Sequence, residues 1–143
     1  MTLPDTPQET AVAAANLAFY RALEARAISA IDLVWSHSET VCCIHPGWHR
    51  LDGWREIRRS WENIFENSRP WTVTCEDVRI VIDGEMAWVS CVEVIRPFGS
   101  TRPDAAARMQ ATNLFAREEG DWKMIHHHAS ASPEDETEEE TVN

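Results

Sequence analysis

A chain of 143 residues, 43% hydrophobic and with seven tryptophans, has the apolar mass for one domain with a real core, which excludes a mainly disordered protein. Its formal charge is −11; six of those charges lie in the terminal run Glu134, Asp135, Glu136, Glu138, Glu139 and Glu140, leaving −5 on the rest. A body of that sign repels phosphate backbones, so nucleic acid is not an expected partner; no apolar run approaches the roughly 20 residues of a membrane span, and the polar start MTLPDTPQET shows no leader pattern, so a soluble, cytoplasmic protein is expected.

The elements follow in chain order. TPQETAVAAANLAFYRALEAR predicts a long helix, with Thr6 as N-cap, Pro7 as first helical residue and Glu9 as capping-box partner. Its expected apolar stripe comprises Ala15, Leu17, Ala18, Phe19, Tyr20 and Leu23. A short helix over about 29–35 follows, anchored by Ile31, Val34 and Trp35. TVCCIH predicts a short buried strand that Pro46 stops and Gly47 turns. GWREIRRSWENIFENS predicts a third helix, with Trp54, Ile57, Trp61, Ile64 and Phe65 on one face. After Pro70, WTVTCEDVRIVID and EMAWVSCVEVIRP predict a hairpin about Asp83-Gly84. ARMQATNLFAREEGDWKMIHHHAS predicts a second hairpin, turning around Glu119 to Asp121.

Helices first and antiparallel strands afterwards imply an α+β domain, with helices on one side of a bent sheet. One domain over 1–132 and an acidic, solvated tail over 133–143 are expected. None of Cys42, Cys43, Cys75 and Cys91 sits in a C-x-x-C pair, and each lies in a strand-like run, so reduced, buried thiols are expected. His126 and His128 share one strand face, but a metal site would need a third ligand with recognisable spacing, so neither metal nor cofactor is expected.

The segments AFYRAL, IHPG, SWENIF and NLFAREEGDWKMIHHHAS, with the Asp-Gly hairpin, resemble the SnoaL-like proteins of the nuclear transport factor 2-like superfamily over roughly residues 8 to 132. That resemblance implies a cone-shaped domain in which a curved antiparallel sheet and three helices enclose a pocket. Thr112, Arg117, Gly120, Trp122, His126 and His128 also match a pattern that closes the association domain of calcium/calmodulin-dependent protein kinase II. The superfamily hosts unrelated functions, so fold alone does not assign one.

Similarity to the kinase hub places Glu93, Asn113 and Ala129 toward the pocket. Strand alternation then adds Ile125 and His127, and puts Trp122, Met124, His126 and His128 on the outer face. The hub's arginines, suited to carboxylates, are replaced here by Glu93, Asn113 and Ala129, which fits a neutral or cationic ligand better. Similarity to ketosteroid isomerases, which keep a base before a proline after the first short strand, puts His45-Pro46 at the base position and Asn113 at an oxyanion donor. Their donor tyrosine corresponds to Phe19, one helical step of about 100° from Tyr20. His45 and Asn113, joined by Glu93 or His127, are thus the candidate acid–base group, with Trp48, Trp61, Phe65, Tyr20, Ile125 and His127 as ligand contacts.

Two functions stay open at this point. One is binding of a small apolar or weakly polar ligand, with isomerase-, cyclase- or hydratase-like acid–base chemistry on a small carbonyl compound. The other is a non-catalytic oligomerisation module, a homodimer through the outer sheet face around Trp88, Trp122, His126 and His128. A plainer alternative has His45 bonded to backbone, Glu93 paired with an arginine, Asn113 tying down backbone, and the tryptophans as core.

Overall fold

The computed structural model describes residues 6–133. The acidic tail expected over 133–143 lies outside the described residues, apart from Pro133. Helix α1 (Pro7–Ala25) starts as the sequence predicts: Thr6 Oγ1 accepts the Glu9 amide at 3.1 Å, and Pro7 occupies the first helical position. It ends at Arg26, which is left-handed with φ 56°. The buried face is Val12, Asn16, Phe19, Tyr20, Ala22 and Leu23. Leu17, expected in the stripe, is half exposed, and buried Asn16 takes a place in its stead.

Helix α2 (Ile28–Val34) leads to β1 (Cys42–Ile44), β2 (Leu51–Asp52) and α3 (Trp54–Asn67), the last burying Ile57, Ser60 and Trp61. Strand β2 is too short to show in the sequence pattern; it pairs antiparallel with β1. The long strands are β3 (Trp71–Asp83), β4 (Met86–Pro97), β5 (Ala107–Glu118) and β6 (Asp121–Ala131). The sheet runs β2-β1-β6-β5-β4-β3, all antiparallel except β1 with β6. The first hairpin sits one residue later than predicted: Asp83 pairs with Met86, and Gly84 (φ 62°) takes the first turn position, as a two-residue turn with glycine there requires. The second is closed by Glu118 and Asp121, with Glu119 (φ 52°) and Gly120 (φ 88°) both left-handed at its tip.

Two bulges decide which residues face the helices. In β3, pairing jumps from Glu76–Val92 to Arg79–Ser90, leaving one extra residue near Asp77 (φ 51°). In β6, Leu114 pairs with His126 but Phe115 with Met124, so Ile125 is extra. A bulge bends its strand and inverts the alternation beyond it. Val73 and Cys75 therefore share the inner face with Ile80 and Ile82, and Trp122 and Met124 share it with His127 and Ala129. This corrects the facing expected from uninterrupted alternation. Trp122 (8% exposed) and Met124 (0%) belong to the core, Ile125 as the extra residue packs half-buried against that core, and Trp122 leaves the expected dimer surface.

Trp71 and Arg26 lock the open end of the cone. Trp71 Nε1 donates to the Leu23 carbonyl at the end of α1, at 2.8 Å. Arg26 donates to the Phe65 and Ser68 carbonyls and to Arg69 O, satisfying the unpaired end of α3, and its guanidinium stands 4.9 Å over the Trp71 ring. No helix among the described residues is long and apolar enough to cross a membrane.

Candidate functional site

Under α3 and against the inner sheet lies a cavity of about 180 Å³. Its roof is Leu23 of α1 with Trp61 and Ile64 of α3. Its floor is Trp71, Val73, Glu93, Ile95 and His127 from the sheet, and the segment after β1 supplies His45, Pro46 and Trp48. The lining is mostly apolar, with three titratable groups converging on it. His45, Glu93 and His127 are 3%, 4% and 2% exposed.

His45 stands where β1 ends. Ser60 spends its single proton on the Ile57 carbonyl (2.6 Å), so at 2.8 Å from His45 Nε2 its oxygen accepts the imidazole N–H. That fixes the tautomer and leaves Nδ1 with a free lone pair, save for a weak 3.9 Å contact with Cys43 Sγ. The ring packs edge-on to Trp48 and Trp61, with centroids 4.7 and 4.5 Å away. Burial lowers its pKa to about 4, so it is neutral at physiological pH.

Glu93 is held by α1 rather than by an arginine. Tyr20 Oη donates to Glu93 Oε2 at 2.7 Å. Burial raises the carboxyl pKa to about 7, against the lowering effect of that hydrogen bond. Behind it, Asn113 Nδ2 donates to Tyr20 Oη (3.0 Å) and to Asn16 Oδ1 (2.9 Å), which leaves Asn113 Oδ1 to accept from His127 Nδ1 (2.6 Å). His127 therefore carries its proton on Nδ1 and presents a bare Nε2, 3.9 Å from Glu93 Oε2. Burial lowers its pKa to about 3. Tyr20 is driven the other way: burial first, then the Glu93 charge, raise its pKa, so it is a permanent donor.

The sequence-predicted residues thus fall into three groups. His45, Glu93, Trp48, Trp61 and His127 line one cavity. Asn113 and Tyr20 lie behind the wall, fully buried and in contact with Glu93 and His127 rather than with the cavity. Phe65 packs outside Trp61 at 5.9 Å, and Ile125 is the bulge residue; neither lines the cavity. The partners of the plainer alternative are also different: Ser60 for His45, Tyr20 for Glu93 and three side chains for Asn113. Sequence reasoning missed Asn16, Ser60 and Trp71. Asn16 had a signal, since it stands four residues before Tyr20 and so shares its helix face.

Among the described residues two buried side-chain polar atoms lack a partner, the indole nitrogens of Trp35 and Trp61. Trp61 lines the cavity with its ring, while its indole nitrogen is itself buried away from the open space. No group of three or more His, Cys, Asp or Glu side chains is placed to hold a metal ion among the described residues.

A helix-roofed, mostly antiparallel six-stranded sheet with two bulges and a small cavity beneath the helices defines a nuclear transport factor 2-like domain. Residues 12–134 match the family model of the SnoaL-like domain, and the chain belongs to that family. The chain is similar to the crystal structure of a candidate dehydratase of the NTF2-like family from Streptomyces avermitilis. Identity is 31%, covering 89% of this chain and 99% of that one, with a TM-score of 0.78. A candidate calcium/calmodulin-dependent protein kinase type II association domain from Thiobacillus denitrificans is 28% identical, covering 93% and 100%, with a TM-score of 0.77. A curated relative, the F-box protein SKIP8 of Arabidopsis thaliana, is 29% identical over 120 residues, and the chain spans about half (49%) of its length.

Proposed function

We propose that this domain binds a small carbonyl compound in the cavity beneath α3 and moves a proton on it, with Glu93 as the proton carrier. The observation that carries this reading is a buried carboxyl group in the cavity wall whose pKa of about 7 lets it give and take a proton near neutral pH. The base assigned to His45 by resemblance moves to Glu93, because a neutral imidazole with a pKa of about 4 is much the weaker base. Bare Nδ1 of His45 and Nε2 of His127 complete a rim of acceptors for a hydroxyl or a shuttled proton. Tyr20, Asn113 and Asn16 are positioning residues.

Size limits the ligand. An engineered cavity of about 150 Å³ in another protein takes up benzene, so about 180 Å³ suits a single ring and not four fused ones. Cyclohex-2-enone is a suitable probe. Its deuterium uptake in D2O, followed by proton NMR, should run faster with the protein than in buffer, rising with pH through about 7 to a plateau as Glu93 ionises. Glu93→Gln should cut the rate about 100-fold or more. No acceleration by the unaltered protein, or equal rates in the variant, would sink the proposal.

Similarity to association domains supports assembly as a second property. A row of register partners crosses the outer sheet face, Val81, Trp88, Leu114 and His126, with Trp88 41% exposed and Met86 beside it. With Trp122 inside the core, Trp88 becomes the central apolar residue of the dimer surface. In sedimentation, the unaltered chain should be a dimer and Trp88→Arg a monomer; a monomeric unaltered chain at tens of micromolar contradicts this.

A further inference from the structure

We propose that the same cavity is a receptor for a small organic ammonium ion, with Trp48, Trp61 and Trp71 as its aromatic walls and the Glu93 carboxylate as its counter-charge. Three indole rings meet at one small cavity, and one acid stands in its wall. Tryptophan offers a cation the most favourable ring face of any side chain, and such contacts strengthen where water is excluded.

The charge balance points the same way. Among the described residues no lysine or arginine lines the cavity. The titratable groups around Glu93 are Tyr20 from α1, Cys43 from β1, Cys75 and Cys91 from β3 and β4, and His127 from β6; β5 contributes its register partner Met109 and α3 contributes Trp61 and Ile64, none of them charged. His45 stands across the cavity, and burial keeps both it and His127 uncharged above pH 6. An ionised Glu93 thus has one hydrogen-bond donor and no cation beside it, which is why burial makes its ionisation costly. A bound ammonium would supply the missing charge. Arg26, whose guanidinium stands over the Trp71 ring, is committed to the carbonyls that end α3. An anion would meet the opposite situation, a buried carboxylate and no compensating charge.

This inference rests on the preceding proposal only in that the cavity admits a ligand; it needs no turnover. Tetramethylammonium is the probe, because it has the charge and a size to fit but no N–H, and tert-butanol is its neutral counterpart. Titration at constant ionic strength, followed by tryptophan fluorescence and indole NMR signals, should show saturable binding of tetramethylammonium about tenfold or more tighter than of tert-butanol. Its affinity should rise about tenfold per pH unit up to pH 7, then level off, because the cation binds the ionised carboxylate. Glu93→Gln should erase both the preference and the pH dependence. Trp48→Ala, at a 44% exposed position that the fold tolerates losing, should weaken tetramethylammonium at least about threefold. Equal affinities for the two probes, or a preference unchanged in both variants, overturn the inference. Cyclohex-2-enone exchange without tetramethylammonium binding removes the ammonium site and leaves the proton-transfer proposal standing; binding without exchange does the reverse.

Discussion

Replacing Asn113 by leucine should destabilise the domain by about 3–5 kcal/mol, a loss that the like branching of the two side chains does not suggest. Asn113 is fully buried and uses both amide protons and its carbonyl oxygen. Leucine would leave Asn16 Oδ1 and His127 Nδ1–H without partners in an apolar setting and remove one of the partners of Tyr20 Oη. Stranding a buried polar group costs about 1–3 kcal/mol each, so the sum lands in that range. Urea unfolding should show a lower midpoint with an unchanged slope. Gln110→Leu, on the same strand but bonded only to exposed Ser132, should stay within about 0.5 kcal/mol. A loss under about 1 kcal/mol for Asn113→Leu would show that the network relaxes onto other partners, and the fixed His127 tautomer would go with it.

That network ties stability to chemistry. Asn113 sets the His127 tautomer, and Tyr20 aims the Glu93 carboxyl, yet neither Asn113 nor Tyr20 touches the cavity. A cavity variant and a network variant should therefore differ in kind. Glu93→Gln removes the proposed proton carrier, whereas Asn113→Leu should shift the pH at which the proposed activity rises, because it loosens the donor held against Glu93.

Much of this molecule was legible in its sequence. The Thr6-Pro7-Glu9 start, the strand stopped at His45-Pro46 and the two hairpins all carry local physical causes, so the elements and the family follow from the sequence pattern. Facing along β6 was less legible. Alternation is a period-two rule, and one extra residue at Ile125 inverts it without leaving a mark in an apolar segment. Trp122 was therefore expected outside and lies inside. Tyr20 was expected on the buried stripe with Phe19, and their rings do meet edge-on at 4.9 Å; what the sequence did not show is that its hydroxyl turns to Glu93 behind the cavity wall. The polar partners of His45 and Glu93 come from other elements, 15 and 73 residues away in the chain, and no local pattern encodes such pairs.

Acid should unfold this domain from an unusually mild pH, and the slope should report Glu93. In the unfolded chain His45 and His127 titrate near 6.5, whereas in the fold burial holds them at about 4 and about 3. Groups with depressed pKa contribute stability that is complete above 6.5 and lost as the pH falls toward their folded values. Each tenfold loss of proton affinity on folding is worth about 1.4 kcal/mol, so the two histidines together amount to about 8 kcal/mol, comparable with the whole stability of a small domain. Glu93 acts with the opposite sign. Its pKa rises from about 4.5 to about 7 on folding, so the native state holds a proton that the unfolded chain has released between those values. Stability from this group is present below 4.5 and lost as the pH rises to 7. Between 4.5 and 6.5 unfolding therefore takes up two protons at the histidines and releases one at Glu93. The net loss is about 1.4 kcal/mol for each pH unit of acidification. Stability should peak near pH 6.5. In Glu93→Gln the opposing proton is gone, so the slope over the same window should double to about 2.7 kcal/mol per pH unit, and the variant should be the more stable protein above pH 7. Urea midpoints across pH 4.5–8 for both proteins test this. Parallel curves would mean that Glu93 does not carry its proton in the folded state, and the proton-transfer proposal would lose its carrier with it.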